Sequence, residues 1–271
     1  MLRRTVIKAT ALSTLLLPAL VTVAPATAQA QQLPSSHSVV SNNWSGYILE
    51  GSYTKVVGTF RVPTLTTGVP TSGVVAEWVG IDGWQNSDLI QAGVNLSGSE
   101  CDGAGQDGLS PNPGHLFWVC AWTATVEGGV YSQGPIPTLT VSGGDVVTVT
   151  IWQEQVGLWG TQLKDQTTGA LWSNYVAYNS SGTSAEWVVE DPGTPGQGCG
   201  VVIANYRGQC PLPAFYPAVK FSGLGIAPPA QLPVTQLRVF LGDSEGGIVA
   251  RPSPLHSVGS DVYFTDRYVG D

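Results

Sequence analysis

Two polar residues stand where the surrounding sequence favours buried strand. Glu186 lies in Ser184-Ala185-Glu186-Trp187-Val188-Val189-Glu190-Asp191, a run suited to extended chain. A carboxylate on the inner face of a sheet loses solvation, which raises its pKa and suits it to acid–base work. Glu190 falls on the same strand face, four residues along. The plainer alternative is a solvated Glu on an outward face. Gln91 sits between Ile90 and Ala92 in a second apolar run. Its amide must find partners there, and an aimed N–H is what a developing oxyanion needs. A glutamine that bonds a neighbouring strand would give the same pattern.

Other chemistries find less support. A serine nucleophile needs a partnered histidine, and His37, His115 and His256 are isolated along the chain. The Asp-Thr-Gly and Asp-Ser-Gly motifs are missing, as is a Gly-x-x-x-x-Gly-Lys phosphate loop. Cys101, Cys120, Cys199 and Cys210 lack the Cys-x-x-Cys spacing of a zinc site. They are expected to form two bridges, Cys101–Cys120 and Cys199–Cys210, which close the shortest loops. No metal or cofactor is expected.

The elements that must hold Glu186 and Gln91 are strands. Of the 271 residues 42 % are hydrophobic and only 11 % charged, against about 25 % charged in an average domain. With 34 Gly, 19 Pro and 9 Trp, that composition suits neither a helical bundle nor disorder. Alternating runs cover Thr54–Val62, Val74–Ile81, Asp145–Trp152, Ala185–Glu190 and Val262–Val269, with Val147, Val149 and Ile151 on one face of the third. Gly182 and the stretch Pro192-Gly193-Thr194-Pro195-Gly196 punctuate them. The fold expected is all-β, one large sandwich. Ala76-Glu77-Trp78-Val79 recurs as Ala185-Glu186-Trp187-Val188, which suggests either equivalent strands in two half-sandwiches or coincidence.

Residues 1–30 read as an export signal. Met1–Lys8 is basic, Ala9–Val23 is apolar and uncharged, and Ala24–Ala30 offers small-x-small cleavage points. Arg3-Arg4 also fits a twin-arginine route. The expectation is a secreted protein that leaves the membrane once the signal is removed. Formal charge is −8, and beyond the first eight residues no basic cluster offers the cationic stripe that nucleic acid requires. Once Arg3, Arg4 and Lys8 are removed, eight basic residues face nineteen acids. Few cations then remain to repel one another in acid, a bias that favours acid tolerance.

The segments Asn43-Trp44-Ser45-Gly46-Tyr47, Val57-Gly58-Thr59-Phe60-Arg61-Val62-Pro63, Trp78-Val79-Gly80-Ile81-Asp82-Gly83, Leu89-Ile90-Gln91-Ala92-Gly93-Val94 and Ala185–Asp191 together resemble the glutamic peptidases, or eqolisins. They run in family order and span most of Asn43–Asp271. The resemblance implies a sandwich of two curved antiparallel sheets with a concanavalin- or lectin-like jelly-roll architecture. It also implies a monomeric, acid-active endopeptidase that cleaves polypeptides without a covalent intermediate. Gln91 and Glu186 become the catalytic dyad, and Trp44, Trp78 and Asp82 the substrate-binding border of the cleft. Residues 31–42 then form a linker and 43–271 the peptidase domain. So short a linker leaves no room for the long propeptide of fungal members and suits a bacterial one. Asn95 and Ala121 stand where the family often has acids, which bears on substrate preference.

A rival reading uses other residues. Glu77 and Glu186, on the echoing strands, would serve a β-sandwich glycoside hydrolase as acid and nucleophile if they stood about 5 Å apart. A secreted carbohydrate-binding module using exposed Trp is the non-catalytic version.

Overall fold

Strand after strand follows the period-2 pattern of the sequence. In Val146–Gln155, Val147, Val149 and Ile151 are fully buried while the residues between them are only partly so. The structure, a computed structural model, describes residues 36–64, 74–97, 118–179, 181–192, 218–229, 235–242 and 247–269. All of them belong to the compact unit Gln32–Asp271. The segment expected to be an export signal, residues 1–30, lies outside the described residues.

The strands are β1 (Ser36–Ser41), β2 (Trp44–Glu50), β3 (Lys55–Arg61), β4 (Val74–Asp82), β5 (Leu89–Ser97) and β6 (Trp118–Glu127). There follow β7 (Val130–Pro135), β8 (Val146–Gln155), β9 (Leu158–Asp165), β10 (Leu171–Ala177) and β11 (Ser184–Glu190). The last are β12 (Val219–Ala227), β13 (Thr235–Gly242), β14 (Ile248–Pro252), β15 (His256–Val258) and β16 (Asp261–Tyr268). No helix occurs among the described residues.

Hydrogen bonding links them in the order β10-β9-β8-β3-β12-β16-β14-β13-β2-β11-β4-β5-β6-β7, with β1 beside β13 and β15 beside β16. Every pairing is antiparallel except β1 with β13. The sandwich is thus one ladder folded over on itself. Its main core joins Val79, Ile81, Ile90, Ala92 and Val94 of one half to Val147, Val149, Ile151 and Leu163 of the other. A second buried cluster covers the opposite face of the β13-β2-β11-β4-β5-β6 half. It contains Trp44, Ile48, Trp78, Leu89, Trp122 and Val188.

Cys120 is disulfide-bonded. Cys101, Cys199 and Cys210 lie outside the described residues, and with them the pairing expected from the sequence.

Candidate active site

Register, more than sequence distance, brings Glu186 and Gln91 together. Glu186 on β11 stands opposite Gly80 on β4, and Gly80 stands opposite Gln91 on β5. Residues aligned across an antiparallel ladder point to the same face, so carboxyl and carboxamide share the face of the second cluster. Two strand spacings, about 10 Å, separate their backbones, and the residue between them has no side chain. A Cβ on Gly80 would lie 3.1 Å from Glu186 Oε2 and 2.8 Å from Trp78 Cζ3. The missing side chain therefore leaves a gap into which the Glu186 carboxyl leans.

Both groups are buried and short of partners. Glu186 is 0 % exposed and Gln91 7 %. Neither oxygen of Glu186 nor Oε1 of Gln91 accepts a hydrogen bond. Buried polar atoms are nearly always satisfied, so three unsatisfied oxygens on one face mark a place built to receive a small polar guest. Burial pushes the Glu186 carboxyl well above the ordinary glutamate value. The neighbouring Ser184 hydroxyl works the other way, and the charge of Asp82 adds to the rise.

Trp78 forms the wall of this gap. Its ring is fully buried and meets Trp44 edge-on, with centroids 5.0 Å apart. The indole Nε1–H donates to Glu190 Oε2 at 2.7 Å, and Asn43 Nδ2 donates to Glu190 Oε1 at 3.2 Å. Burial lifts the Glu190 carboxyl from 4.5 to about 7, with the Trp78 bond opposing the rise. Gly93, opposite Trp78 on β5, is obligatory, because a Cβ there would come within 2.7 Å of Trp78 Cβ and 2.0 Å of the Glu77 carbonyl oxygen. Trp44 and Trp78, expected to bind substrate, are thus packed residues, 5 % and 0 % exposed. They shape the pocket around Glu186 and offer little open surface.

Asp82, the third residue expected at the cleft border, is likewise enclosed. It is fully buried in the left-handed region, at φ 65°, where strand β4 turns. Asp is among the few residues that tolerate that conformation. Its Oδ1 accepts from Thr183 N at 2.7 Å, Thr183 Oγ1 at 2.9 Å and Asn86 Nδ2 at 2.9 Å. Oδ2 accepts from Gly182 N and Tyr178 Oη, both at 3.2 Å. The carboxylate is thus fully engaged within the chain. It ties the approach to β11 onto the end of β4 and so fixes Glu186 against Gly80.

Glu77 lies elsewhere. It stands opposite Val189 and Val94, whereas Glu186 stands opposite Gly80. Positions 77 and 80 of one strand point to opposite faces, so Glu77 faces the main core and cannot share a site with Glu186. The glycosidase pairing fails on that geometry. Gly242-Asp243-Ser244-Glu245-Gly246 has the spacing of a serine-hydrolase elbow, which needs a strand-to-helix turn. Residues 243–246 lie outside the described residues. The sequence reading missed Gly80, the Glu190–Trp78 bond and the saturation of Asp82. A glycine inside an otherwise apolar strand was the available sign of the first.

Fold and site together define a β-sandwich protein with a carboxyl and a carboxamide set across a glycine on one sheet face. The chain belongs to the Peptidase A4 family, whose model matches residues 42–229. Aspergillopepsin-2 of Aspergillus niger is 29 % identical over 175 residues, 56 % of either chain. The chain thus spans about half the length of that curated relative. Scytalido-glutamic peptidase, solved with a transition state analog inhibitor, superposes with a TM-score of 0.59 at 23 % identity, over 85 % of this chain and 100 % of that one. SCP-B, described as a member of the eqolisin family of peptidases and solved with the tripeptide Ala-Ile-His, gives 0.55 at 24 % with the same coverage. Both structural likenesses are evidence of the fold.

Proposed function

We propose that the protein is an exported, acid-active endopeptidase of the glutamic type, with Glu186 and Gln91 as its catalytic pair. The observation that carries the reading is the row Glu186–Gly80–Gln91, with its unsatisfied oxygens on one face. Membership of the Peptidase A4 family supplies the reaction class.

Ionised Glu186 takes a proton from a water held between it and Gln91, and that water attacks the scissile carbonyl. The carbonyl oxygen becomes an oxyanion, held by the Gln91 Nε2–H and by the newly protonated Glu186. Glu186 then gives its proton to the leaving amide nitrogen as the C–N bond breaks, which restores the carboxylate. No step calls on a metal, a cofactor or a covalent intermediate. Asp82 and Trp78 position the pair, and the substrate is an unfolded polypeptide. Residues 1–30 serve as the export signal, 31–42 as a linker and 43–271 as the working domain, which acts as a monomer.

The base must be ionised, and burial raises Glu186 above 4.5. The acid limb of the rate profile is therefore expected above the ordinary glutamate value. Hydrolysis of acid-denatured casein by Glu186→Gln and Gln91→Ala variants tests the reading. Both should lose activity, Gln91→Ala by about 100- to 1,000-fold. A wild-type rate in either would overturn the assignment.

A further inference from the structure

Glu190 is buried on the site's face, yet the proposed chemistry does not use it. It lies four residues beyond Glu186 on β11, opposite Trp44 on β2 and Ala76 on β4. Each of its oxygens accepts one donor. The Trp78 bond, at 2.7 Å, is at the short end of N–H···O distances. Asn43, the donor to the other oxygen, is itself fixed at the corner between β1 and β2. Its Oδ1 accepts from Ser41 Oγ at 3.0 Å, and its carbonyl accepts the Asp191 N–H at 2.8 Å. One edge of the Trp78 ring is therefore pinned to that corner through Glu190. The far edge, at Cζ3, crowds the same point above Gly80 that Glu186 Oε2 crowds, 2.8 Å and 3.1 Å from it respectively. Trp44, edge-on to the ring, limits its movement on another side.

We propose that Glu190 is a positioning residue for the dyad, and that its hold on the Trp78 indole N–H keeps the ring against one side of the Glu186 carboxyl and bulk solvent off that side, leaving the side toward Gln91 for the reacting water. This rests on the dyad reading above. The clamp reaches Glu186 only through Trp78, and its chemistry is that of an acceptor. Charge on Glu190 is not required, since a protonated carboxyl still accepts the indole bond. Other titratable groups coupled to this face are Asp82, through Glu186, Asp191 beside Glu190, and the half-exposed Tyr131, whose phenol is raised by partial burial and by the charge of Glu190.

The test measures kcat and kcat/KM on an internally quenched peptide from about pH 2 to pH 8. It uses the full-length protein and its Glu190→Ala, Glu190→Gln, Trp78→Phe and Trp78→Phe/Glu190→Ala variants. Glu190→Ala should lower kcat by about 10- to 100-fold through misplacement of the pair. It should also move the acid limb of kcat/KM down toward the ordinary glutamate value, because solvent reaches Glu186. Glu190→Gln keeps an acceptor for Trp78 and should hold the limb where the wild type has it. Trp78→Phe keeps a ring but lacks the N–H, so it should shift the limb in the same direction as Glu190→Ala. The double variant should then go no further than either single change. A lowered Tm with an unmoved limb in Glu190→Ala, or additive shifts in the double variant, would overturn the proposal. If Glu190→Ala does not fold, Trp78→Phe decides alone, and an unmoved limb counts against it. Failure of the dyad itself is separately visible, because Glu186→Gln would then remain active.

Discussion

Strands β4 and β11 carry the same four residues, Ala-Glu-Trp-Val, and are hydrogen-bonded neighbours, yet they present them to opposite faces. Their register aligns Trp187 with Val79 and Val188 with Trp78, so the two Glu-Trp pairs are offset by an odd number of positions. Trp187 enters the main core and donates its indole N–H to the Val57 carbonyl at 2.8 Å, whereas Trp78 faces the site and donates to Glu190. The glutamates divide the other way. Glu186 faces Gly80 and Gln91, while Glu77 lies between Val189 and Val94 on the core side. Both are fully buried, and all four of their oxygens lack a hydrogen-bond partner. Burial pushes both well above the ordinary glutamate range. Of the two, Glu186 has a carboxamide on its own face, two strands away across Gly80, with a hydroxyl and a second carboxylate nearby. An unsatisfied buried acid is therefore no site by itself; a polar partner on the same face, across a glycine, is what distinguishes one.

Exchanging each glutamate for glutamine gives the largest contrast. Glu186→Gln should reduce kcat by roughly 100- to 10,000-fold, the usual weight of a general base, while Glu77→Gln should leave kcat within about twofold. Equal losses in casein hydrolysis would erase the distinction between the faces. Filling the gap comes next. Gly80→Ala sets a methyl 3.1 Å from Glu186 Oε2 and 2.8 Å from Trp78, so kcat/KM should fall by about 10- to 100-fold with the far-UV circular dichroism of a folded sheet retained.

The smallest effect is on stability. The folded protein holds protons on Glu77, Glu186 and Glu190 more tightly than the unfolded chain does. Their stabilisation is complete below about 4.5 and is lost as pH climbs through the folded values, near 7 for Glu190. Each pH unit of separation is worth about 1.4 kcal/mol per group. The urea midpoint of the wild type should therefore fall between about pH 4.5 and pH 8, and that of Glu77→Gln should fall less. Parallel curves would mean that Glu77 does not carry the raised value.

Much of this was legible in the sequence, because period-2 burial writes strands plainly. The expected Thr54–Val62 and Asp145–Trp152 appear as Lys55–Arg61 and Val146–Gln155, and Glu186 and Gln91 both lie in the strands expected to hold them. Alternation tells which residues of one strand share a face; it does not tell which face meets which partner. Only the register of β11 on β4 and of β4 on β5 decides that, and it separates Glu77 from Glu186. The surroundings of Asp82 were illegible for a related reason. As the end of a Trp-Val-Gly-Ile-Asp strand it looks like a residue at a cleft border. Its left-handed backbone turns the carboxylate toward donors on Tyr178, Gly182 and Thr183, which alternation does not foretell.

The most direct measurement is a high-resolution crystal structure of the protein at acid pH, inspected between β11 and β5 above Gly80. The account predicts one ordered water within about 3 Å of both the Glu186 carboxyl and the Gln91 carboxamide. A direct Glu186–Gln91 hydrogen bond that leaves no room for solvent, or the two side chains turned away from one another, would contradict it.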